Sequence, residues 1–119
     1  MNKSPLVSIM MNCYNGAEYL REAIDSIYAQ TYQNWEIIFW DNASTDNTAK
    51  IAKSYDDRLK YFKSDKTTPL GEARSLALKE AKGDYLSFLD CDDCLFPNKL
   101  KIQVEILEKN PSVYLLFSS

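Results

Sequence analysis

The sequence has no histidine and, among its 119 residues, only three glycines, four prolines and three cysteines. So few glycines and prolines argue against a fibrous or disordered chain. The odd number of cysteines leaves at least one thiol outside any disulfide framework, and no basic segment followed by an apolar one opens the chain as a secretion signal would. We therefore expect a folded protein in a reducing, cytoplasmic setting.

Excess basic charge and long apolar runs are also lacking. Lysine and arginine number 14 against 17 aspartates and glutamates, which argues against a nucleic-acid partner because phosphate backbones require a basic surface. No apolar run approaches the ~18 residues of a membrane span. Residues 1–119 thus predict a single soluble domain, which leaves open an association of a longer parent protein with the cytoplasmic face of a membrane.

Short apolar or aromatic runs alternate with segments of helical period along the chain. Alternation of this kind predicts an α/β fold, a Rossmann-like three-layer sandwich with a mostly parallel sheet and right-handed crossovers. The predicted strands are Val7 to Met11, Trp35 to Trp40, Leu59 to Phe62, Asp84 to Leu89 and Val113 to Phe117. The predicted helices carry Leu20 to Thr31, Ala49 to Tyr55, Pro69 to Lys82 and Pro97 to Leu107.

Local patterns predict how three of these helices begin or end. Asn15 and Glu18 have the spacing of a capping box for the first helix. Ser44 or Thr45 is suited to cap the second. Gly83 stands where a left-handed residue would end the third.

Polar segments follow the first, second and fourth predicted strands. They are the first loop (residues 12–16), the second loop (residues 41–46) and the acidic loop (residues 90–93). Parallel strands deliver such loops to one edge of the sheet, where ligands bind near a reversal of strand order. We therefore expect the three loops to form one site.

The acidic loop reads Asp90-Cys91-Asp92-Asp93, with three carboxylates in four positions. Like charges this close repel one another, and a divalent cation relieves the repulsion. Oxygen ligands suit Mg²⁺ or Mn²⁺, which keep positions open for substrate phosphates. The alternative is a solvated acidic turn that caps the next helix. A zinc or redox site at Cys91 and Cys94 is disfavoured, because flanking acids oppose thiolates and no histidine is present.

Several motifs, in order, resemble family 2 glycosyltransferases of the GT-A fold, and together they cover nearly the whole chain. They are Val7 to Gly16 with Tyr19-Leu20 and Gln30 to Tyr32, then Asp41 to Thr48, then Ala73-Arg74, then Gly83 to Tyr85 and Phe88 to Asp93. The resemblance implies an inverting transferase that moves a sugar from a nucleoside diphosphate sugar, most often a UDP-sugar, with Mn²⁺ or Mg²⁺ as cofactor.

The same resemblance implies roles for individual residues. The first loop would wrap the nucleobase and ribose, with Tyr14 stacking on the base. Asp92 would bind the metal, and Asp93 would cap a helix or lie behind the metal ligand. Asp41 and Asn42 would lie at the base, where relatives often carry two aspartates. The donor contacts so assigned fall to Asn12, Tyr14, Asn15, Asp41, Asn42, Arg74 and Asp90.

Two of these residues also have plainer interpretations. Tyr14 is equally an aromatic residue at the edge of the core, and Arg74 is equally a surface residue paired with Glu72 or Glu80. The position of Asn12 is often proline or threonine in relatives, which leaves its base contact open.

The resemblance departs from the family at its end. Family members take the proton of the acceptor with a carboxylate in a second half of the domain, and no candidate follows Asp93 here. We therefore expect residues 1–119 to bind the donor without transferring the sugar, and a glycan, lipid or protein acceptor to need a further part of the protein.

Three other functions are alternatives, and the sequence argues against the first two. A phosphoacceptor domain of the response-regulator type would need acids at the end of the first strand, and Asn12 to Asn15 has none. A nucleotidyltransferase would need a glycine-rich basic loop after the first strand, and no such loop follows Met11. A non-catalytic interaction module that retains the fold stays open.

Overall fold

A computed structural model of the chain describes residues 4–65, 70–109 and 115–117. Strands and helices alternate as the sequence predicted, in the order β1 (Val7–Cys13), α1 (Ala17–Tyr28), β2 (Trp35–Asp41), α2 (Thr48–Ala52), β3 (Leu59–Lys63), α3 (Leu70–Leu78), β4 (Tyr85–Phe88), α4 (Lys99–Lys109) and β5 (Leu115–Phe117). Pro69 and Val113, which the sequence placed in a helix and a strand, lie outside the described residues.

The five strands form one sheet in the order β3-β2-β1-β4-β5, and every pair among the described residues is parallel. The order reverses between β1 and β4, which are neighbours although α1, β2, α2, β3 and α3 separate them in the chain. This is the predicted α/β fold. The reversal places the ligand-binding edge beyond the carboxyl ends of β1 and β4.

Alternate residues of β1 and β2 face opposite layers of helices, which makes the structure three layers deep. Ile9 and Phe39 belong to a core cluster that includes residues of α1, α2 and α4. Met10 and Ile38 face the other way, against Ala77 of α3. Full burial of such side chains stabilises the fold by roughly 1.5–3 kcal/mol each, so the apolar composition of β1 and β2 fixes both faces of the sheet.

A buried carboxylate joins β1, β2 and the segment before β4. Glu36 is 4% exposed, accepts hydrogen bonds from Ser8 Oγ at 2.6 Å and Lys82 N at 2.8 Å, and pairs with Lys60 Nζ at 3.3 Å. Burial alone would raise the pKa of Glu36, but these bonds outweigh burial and lower the pKa. The same Ser8 hydroxyl accepts the N–H of Gly83 at 2.8 Å.

The predictions for the helix ends were wrong. Gly16 is the N-cap of α1 and Asn47 that of α2, neither with a side-chain capping bond. Gly83 does not have a positive φ, as no described glycine does, and α3 already ends at Leu78. Glycine is needed at position 83 for space, because a Cβ there would lie 2.7 Å from Ser8 N and 2.8 Å from a backbone oxygen.

No helix within the described part of the chain has the length and apolar character to cross a bilayer.

Candidate functional site

The carboxyl ends of β1 and β4 open into a cleft of about 480 Å³. The first loop forms one wall and the acidic loop forms the other. This is the position where parallel α/β sheets bind ligands. The lining residues are Asn12, Tyr14, Asn15, Gly16, Glu18, Tyr19, Asp90, Cys91 and Asp92.

Five of the eight residues predicted from the sequence line this cleft: Asn12, Tyr14 and Asn15 from the first loop, and Asp90 and Asp92 from the acidic loop. The side chain of Tyr14 is 53% exposed, which argues against a place in the core and leaves its ring free to stack on a planar ligand.

Sequence reasoning did not assign Glu18 and Tyr19 to the site. Both lie in the first turn of α1 and line the cleft. Only the position of Glu18 and Tyr19 in the sequence could have indicated this role. The first turn of a helix that follows a binding loop faces the same edge of the sheet as the loop.

Backbone amides of the first loop bind side chains of the second loop and of the start of α2. The N–H groups of residues 15, 16 and 17 donate in turn to Ser44 Oγ at 2.9 Å, Thr48 Oγ1 at 3.0 Å and Asp46 Oδ2 at 3.1 Å. In return, Asn15 Oδ1 accepts from the N–H of Thr45 at 2.7 Å. The predicted capping residues Asn15, Ser44 and Thr45 therefore join two loops.

Both carboxylate oxygens of Asp46 accept hydrogen bonds in this contact between the two loops. Oδ1 accepts from the N–H of Thr48 at 2.9 Å and from its hydroxyl at 2.5 Å, while Oδ2 accepts from Ala17. Burial would raise the pKa of Asp46, but the hydrogen bonds from Thr48 and Ala17 lower it. Asp46 thus stays ionised and binds the N-terminal ends of two helices, where negative charge is favourable.

Asp41 and Asn42 do not line the cleft. Asp41 is fully buried, and its two oxygens accept from Ser44 N at 2.9 Å and Tyr61 Oη at 2.5 Å. Burial, followed by this bond, raises the pKa of Tyr61. Asn42 is 8% exposed, and its N–H donates to the carbonyl of Cys13 at 2.8 Å. Asp41 and Asn42 therefore form the buried start of the second loop and fix its path.

The cleft is acidic. Among the described residues, Glu18, Asp90 and Asp92 contribute carboxylates to its lining and no lysine or arginine does. Carboxylate oxygens of Asp90, Asp92 and Asp93 lie within 4.8 Å of one another, and no ion pair neutralises them in the part of the chain described. The pKa of Tyr19 is raised, first by a hydrogen bond to Glu18 and less by the charge of Asp92.

The donor set fits a hard divalent cation. Converging carboxylate oxygens are the ligands that Mg²⁺ and Mn²⁺ prefer, and Asp90 and Asp92 also face the cleft where a phosphate would complete the coordination. Because the lining has no basic residue, a diphosphate would meet only negative charge without such a cation.

A buried acceptor lacks a partner beside the cleft. Among the described residues, Asn12 Oδ1 has no hydrogen-bond partner, which costs roughly 1–3 kcal/mol. Asn12 and Arg74 line a small cavity of about 20 Å³. The Arg74 guanidinium lies 5.5 Å from the ring centre of Phe88, and within the described ranges no ion pair joins it to Glu72 or Glu80. The structure therefore does not support the ion-pair interpretation of Arg74.

Cys13 at the end of β1 and Cys91 of the acidic loop meet beside Gly16, where a Cβ on the glycine would lie 2.5 Å from Cys13 Sγ and 2.8 Å from Cys91 Sγ. The interaction between the two side chains raises the pKa of Cys13 and lowers that of Cys91. The sequence pattern indicated only the pair Cys91 and Cys94. The contact between Cys13 and Cys91 has no local pattern in the sequence because the two residues are far apart in the chain. All three cysteines are free thiols in the structure.

Fold and site together define an α/β domain of the GT-A type with an acidic cleft at the reversal of strand order. Residues 8–118 match the model of "Glycosyl transferase family 2", so the chain belongs to this family of glycosyltransferases. The resemblance stated from the sequence motifs is confirmed.

Two curated relatives illustrate the similarity in sequence. An uncharacterized glycosyltransferase of Rickettsia typhi is 49% identical over 106 residues, which cover 89% of this chain and 33% of the relative. UDP-Glc:alpha-D-GlcNAc-diphosphoundecaprenol beta-1,3-glucosyltransferase WfgD of Escherichia coli is 40% identical over 106 residues, with coverage of 88% and 42%.

Two solved structures illustrate the similarity in fold. S. aureus TarS in complex with UDP-GlcNAc has a TM-score of 0.83 at 27% identity, with 88% of this chain and 32% of that chain covered. Mannosyltransferase PcManGT from Pyrobaculum calidifontis, in complex with GDP-Man and Mn²⁺, has a TM-score of 0.74 at 26% identity, with coverage of 87% and 32%. The chain thus spans less than half the length of each of these four proteins.

Proposed function

We propose that the chain binds a nucleoside diphosphate sugar, a UDP-sugar in the first instance, in the cleft between the first loop and the acidic loop, with Mn²⁺ or Mg²⁺. The observation that carries this proposal is the acidic lining with three converging carboxylates and no basic residue. A diphosphate binds such a surface only with a cation. UDP-GlcNAc in TarS and Mn²⁺ in PcManGT support both parts.

Each residue then has a proposed role. Asp92 binds the metal, with Asp90 beside it toward the ribose or donor sugar. When bound, the cation offsets the charge of the leaving diphosphate. Tyr14 stacks on the base, and the free Oδ1 of Asn12 accepts an N–H from it. An imide base such as uracil supplies such a donor.

The remaining predicted residues contribute less directly to ligand binding. Arg74 of α3 lines the small cavity together with Asn12 and approaches the base or diphosphate from that side. Asn15 and Asp41 contribute to ligand binding chiefly because their hydrogen bonds hold the first and second loops in place. A contact of Asn42 with the base stays a prediction.

For the whole protein we propose inverting transfer to a glycan, lipid or protein acceptor, with association at the cytoplasmic face of a membrane. The name of the Escherichia coli relative specifies a lipid-linked acceptor, which favours a lipid or glycan. That residues 1–119 alone do not transfer sugar also stays a prediction. An assay of UDP release from UDP-sugars by the purified chain tests it, and turnover above the hydrolysis background would contradict it.

Nucleotide binding is tested by thermal unfolding with UDP, GDP and CDP, each with Mn²⁺ or with EDTA. At about 100-fold excess over Kd, UDP with Mn²⁺ stabilises a folded protein by ~2.7 kcal/mol, a rise in Tm on the order of 10 °C. Asp92→Asn should abolish the metal-dependent rise, and Asn12→Ala should reduce it. Asp57→Asn, a change at an exposed acid outside the cleft lining, is the matched control. An unchanged Tm with every nucleotide and metal would favour the interaction module.

A further inference from the structure

Cys13 is the last residue of β1, and Cys91 follows the last residue of β4 by three positions. The pairing of β1 with β4 ends at Met10 and Phe88, so the closeness of the two cysteines shows in the positions of their sulfur atoms.

The two sulfurs face the same empty point in space. A Cβ built on Gly16 would lie 2.5 Å from Cys13 Sγ and 2.8 Å from Cys91 Sγ. The φ of Gly16 is −102°, so the backbone does not require glycine there. The missing side chain instead leaves the space in which the two thiols meet.

Access to the pair is one-sided. Cys13 is 2% exposed and belongs to the core, whereas Cys91 is half-buried and lines the cleft. A small oxidant therefore reaches Cys91 through the cleft, and Cys13 is in place to react with it from below.

We propose that Cys13 and Cys91 form a reversible disulfide on exposure to a peroxide, and that this bond weakens ligand binding in the cleft. The Cys91 sulfur takes one oxygen from hydrogen peroxide to become a sulfenic acid, and water is released. The Cys13 sulfur then attacks the Cys91 sulfur and displaces hydroxide, which leaves as a second water with the thiol proton of Cys13. Both sulfurs are oxidised, and the O–O bond of the peroxide is reduced.

The consequence for the site follows from where Cys91 stands. It lies between Asp90 and Asp92, and a covalent S–S bond of about 2.05 Å draws it toward Cys13. The carboxylates on either side then change their position relative to the first loop. This part of the inference rests on the proposed function.

Peptide mapping tests the disulfide without reference to any ligand. The chain is treated with hydrogen peroxide, free thiols are alkylated, and trypsin is used without reductant. Cleavage after lysine and arginine leaves Cys13 in residues 4–21 and both Cys91 and Cys94 in residues 83–99. We expect the two peptides to be cross-linked and to separate with dithiothreitol. A link within 83–99, between Cys91 and Cys94, or an unmodified Cys13 thiol would overturn the proposal.

Variants separate the two possible partners of Cys91. Cys94→Ser should keep the cross-link, and Cys13→Ser should remove it. Serine at the buried position 13 is a risk to folding, so circular dichroism is recorded first. Cys91→Ser, at a half-buried position, provides the second route to the same result.

Binding of Mn²⁺ and UDP by the oxidised and reduced chain tests the effect on the cleft. We expect an affinity weaker by on the order of tenfold after oxidation, restored by dithiothreitol and insensitive to oxidation in Cys13→Ser. A cross-link with unchanged affinity would overturn the regulatory effect. A cross-link in a chain that binds no nucleotide even when reduced would reject the proposed function and leave the disulfide standing.

Discussion

The side-chain carbonyl of Asn15 accepts the backbone N–H of Thr45 at 2.7 Å, across 30 positions of sequence. Asn15 itself has a φ of 50°, a conformation that glycine and asparagine adopt more readily than alanine. One residue therefore supplies both the turn of the first loop and its bond to the second.

Substitutions at Asn15 should separate these two contributions. Asn15→Gly keeps the backbone conformation and loses the acceptor, so it should lower the free energy of unfolding by about 1 kcal/mol. Asn15→Ala should cost about 1 kcal/mol more, because alanine is strained at positive φ. Urea denaturation measures both, and equal losses would show that the backbone conformation contributes nothing.

Ala43 in the second loop has a φ of 61°. Ala43→Gly should relieve this strain. The greater entropy of glycine in the unfolded chain offsets part of the gain, which leaves a net stabilisation of about 0.5 kcal/mol. The control is Ala49→Gly in α2, where glycine should destabilise by about 1 kcal/mol. A loss of stability at both positions would contradict the prediction.

Gly83 is required for space and not for its backbone conformation. Gly83→Ala places a Cβ 2.7 Å from Ser8 N and 2.5 Å from Ser8 Oγ, and backbone atoms do not move away cheaply. We expect a loss of about 1–3 kcal/mol. Lys82→Ala, at the exposed neighbouring position, should change stability by less than about 0.5 kcal/mol. Near-neutral behaviour of Gly83→Ala in thermal unfolding would refute the crowding.

Glu36 should make stability depend on acidic pH. Its pKa is lowered from the usual 4.5 in the folded state, so its contribution is fully present above that value and is lost as pH falls through the folded-state pKa. Glu36→Gln should lower stability at pH 7 by roughly 2 kcal/mol and flatten its dependence on pH below 4.5.

Urea midpoints at a series of pH values from neutral to acidic measure this effect. Glu80→Gln, at an exposed carboxyl, is the control and should leave the slope nearly unchanged. An identical slope of stability against pH in the wild type and in Glu36→Gln would show that Glu36 is not the source of this pH dependence.

The features that sequence predicted correctly depend on local periodicity. The run Trp35–Asp41 is mainly apolar because both faces of the strand are covered, and Leu20, Ile24 and Ile27 of α1 recur every three or four residues because one face is buried. The position of Asp90 and Asp92 directly after a strand followed from the same kind of pattern. Such information lies within a few residues and needs no knowledge of packing.

The features that sequence missed depend on partners far along the chain. Tyr61 holds Asp41 from a neighbouring strand, Cys91 meets Cys13, and Gly83 makes room for Ser8. For Cys91 and Gly83 the local pattern suggested a nearer role: a C-x-x-C pair and a helix end. The contacts that decide between these roles form only when the strands assemble.

The amides of residues 15, 16 and 17 donate to acceptors at positions 44, 48 and 46. A main-chain N–H is the same whatever residue carries it, so the side-chain chemistry of these three bonds belongs to Ser44, Asp46 and Thr48. None of the three borders the cleft. Anyone who redesigns ligand preference by varying only the walls of the pocket would leave untouched the side chains that give one of those walls its shape.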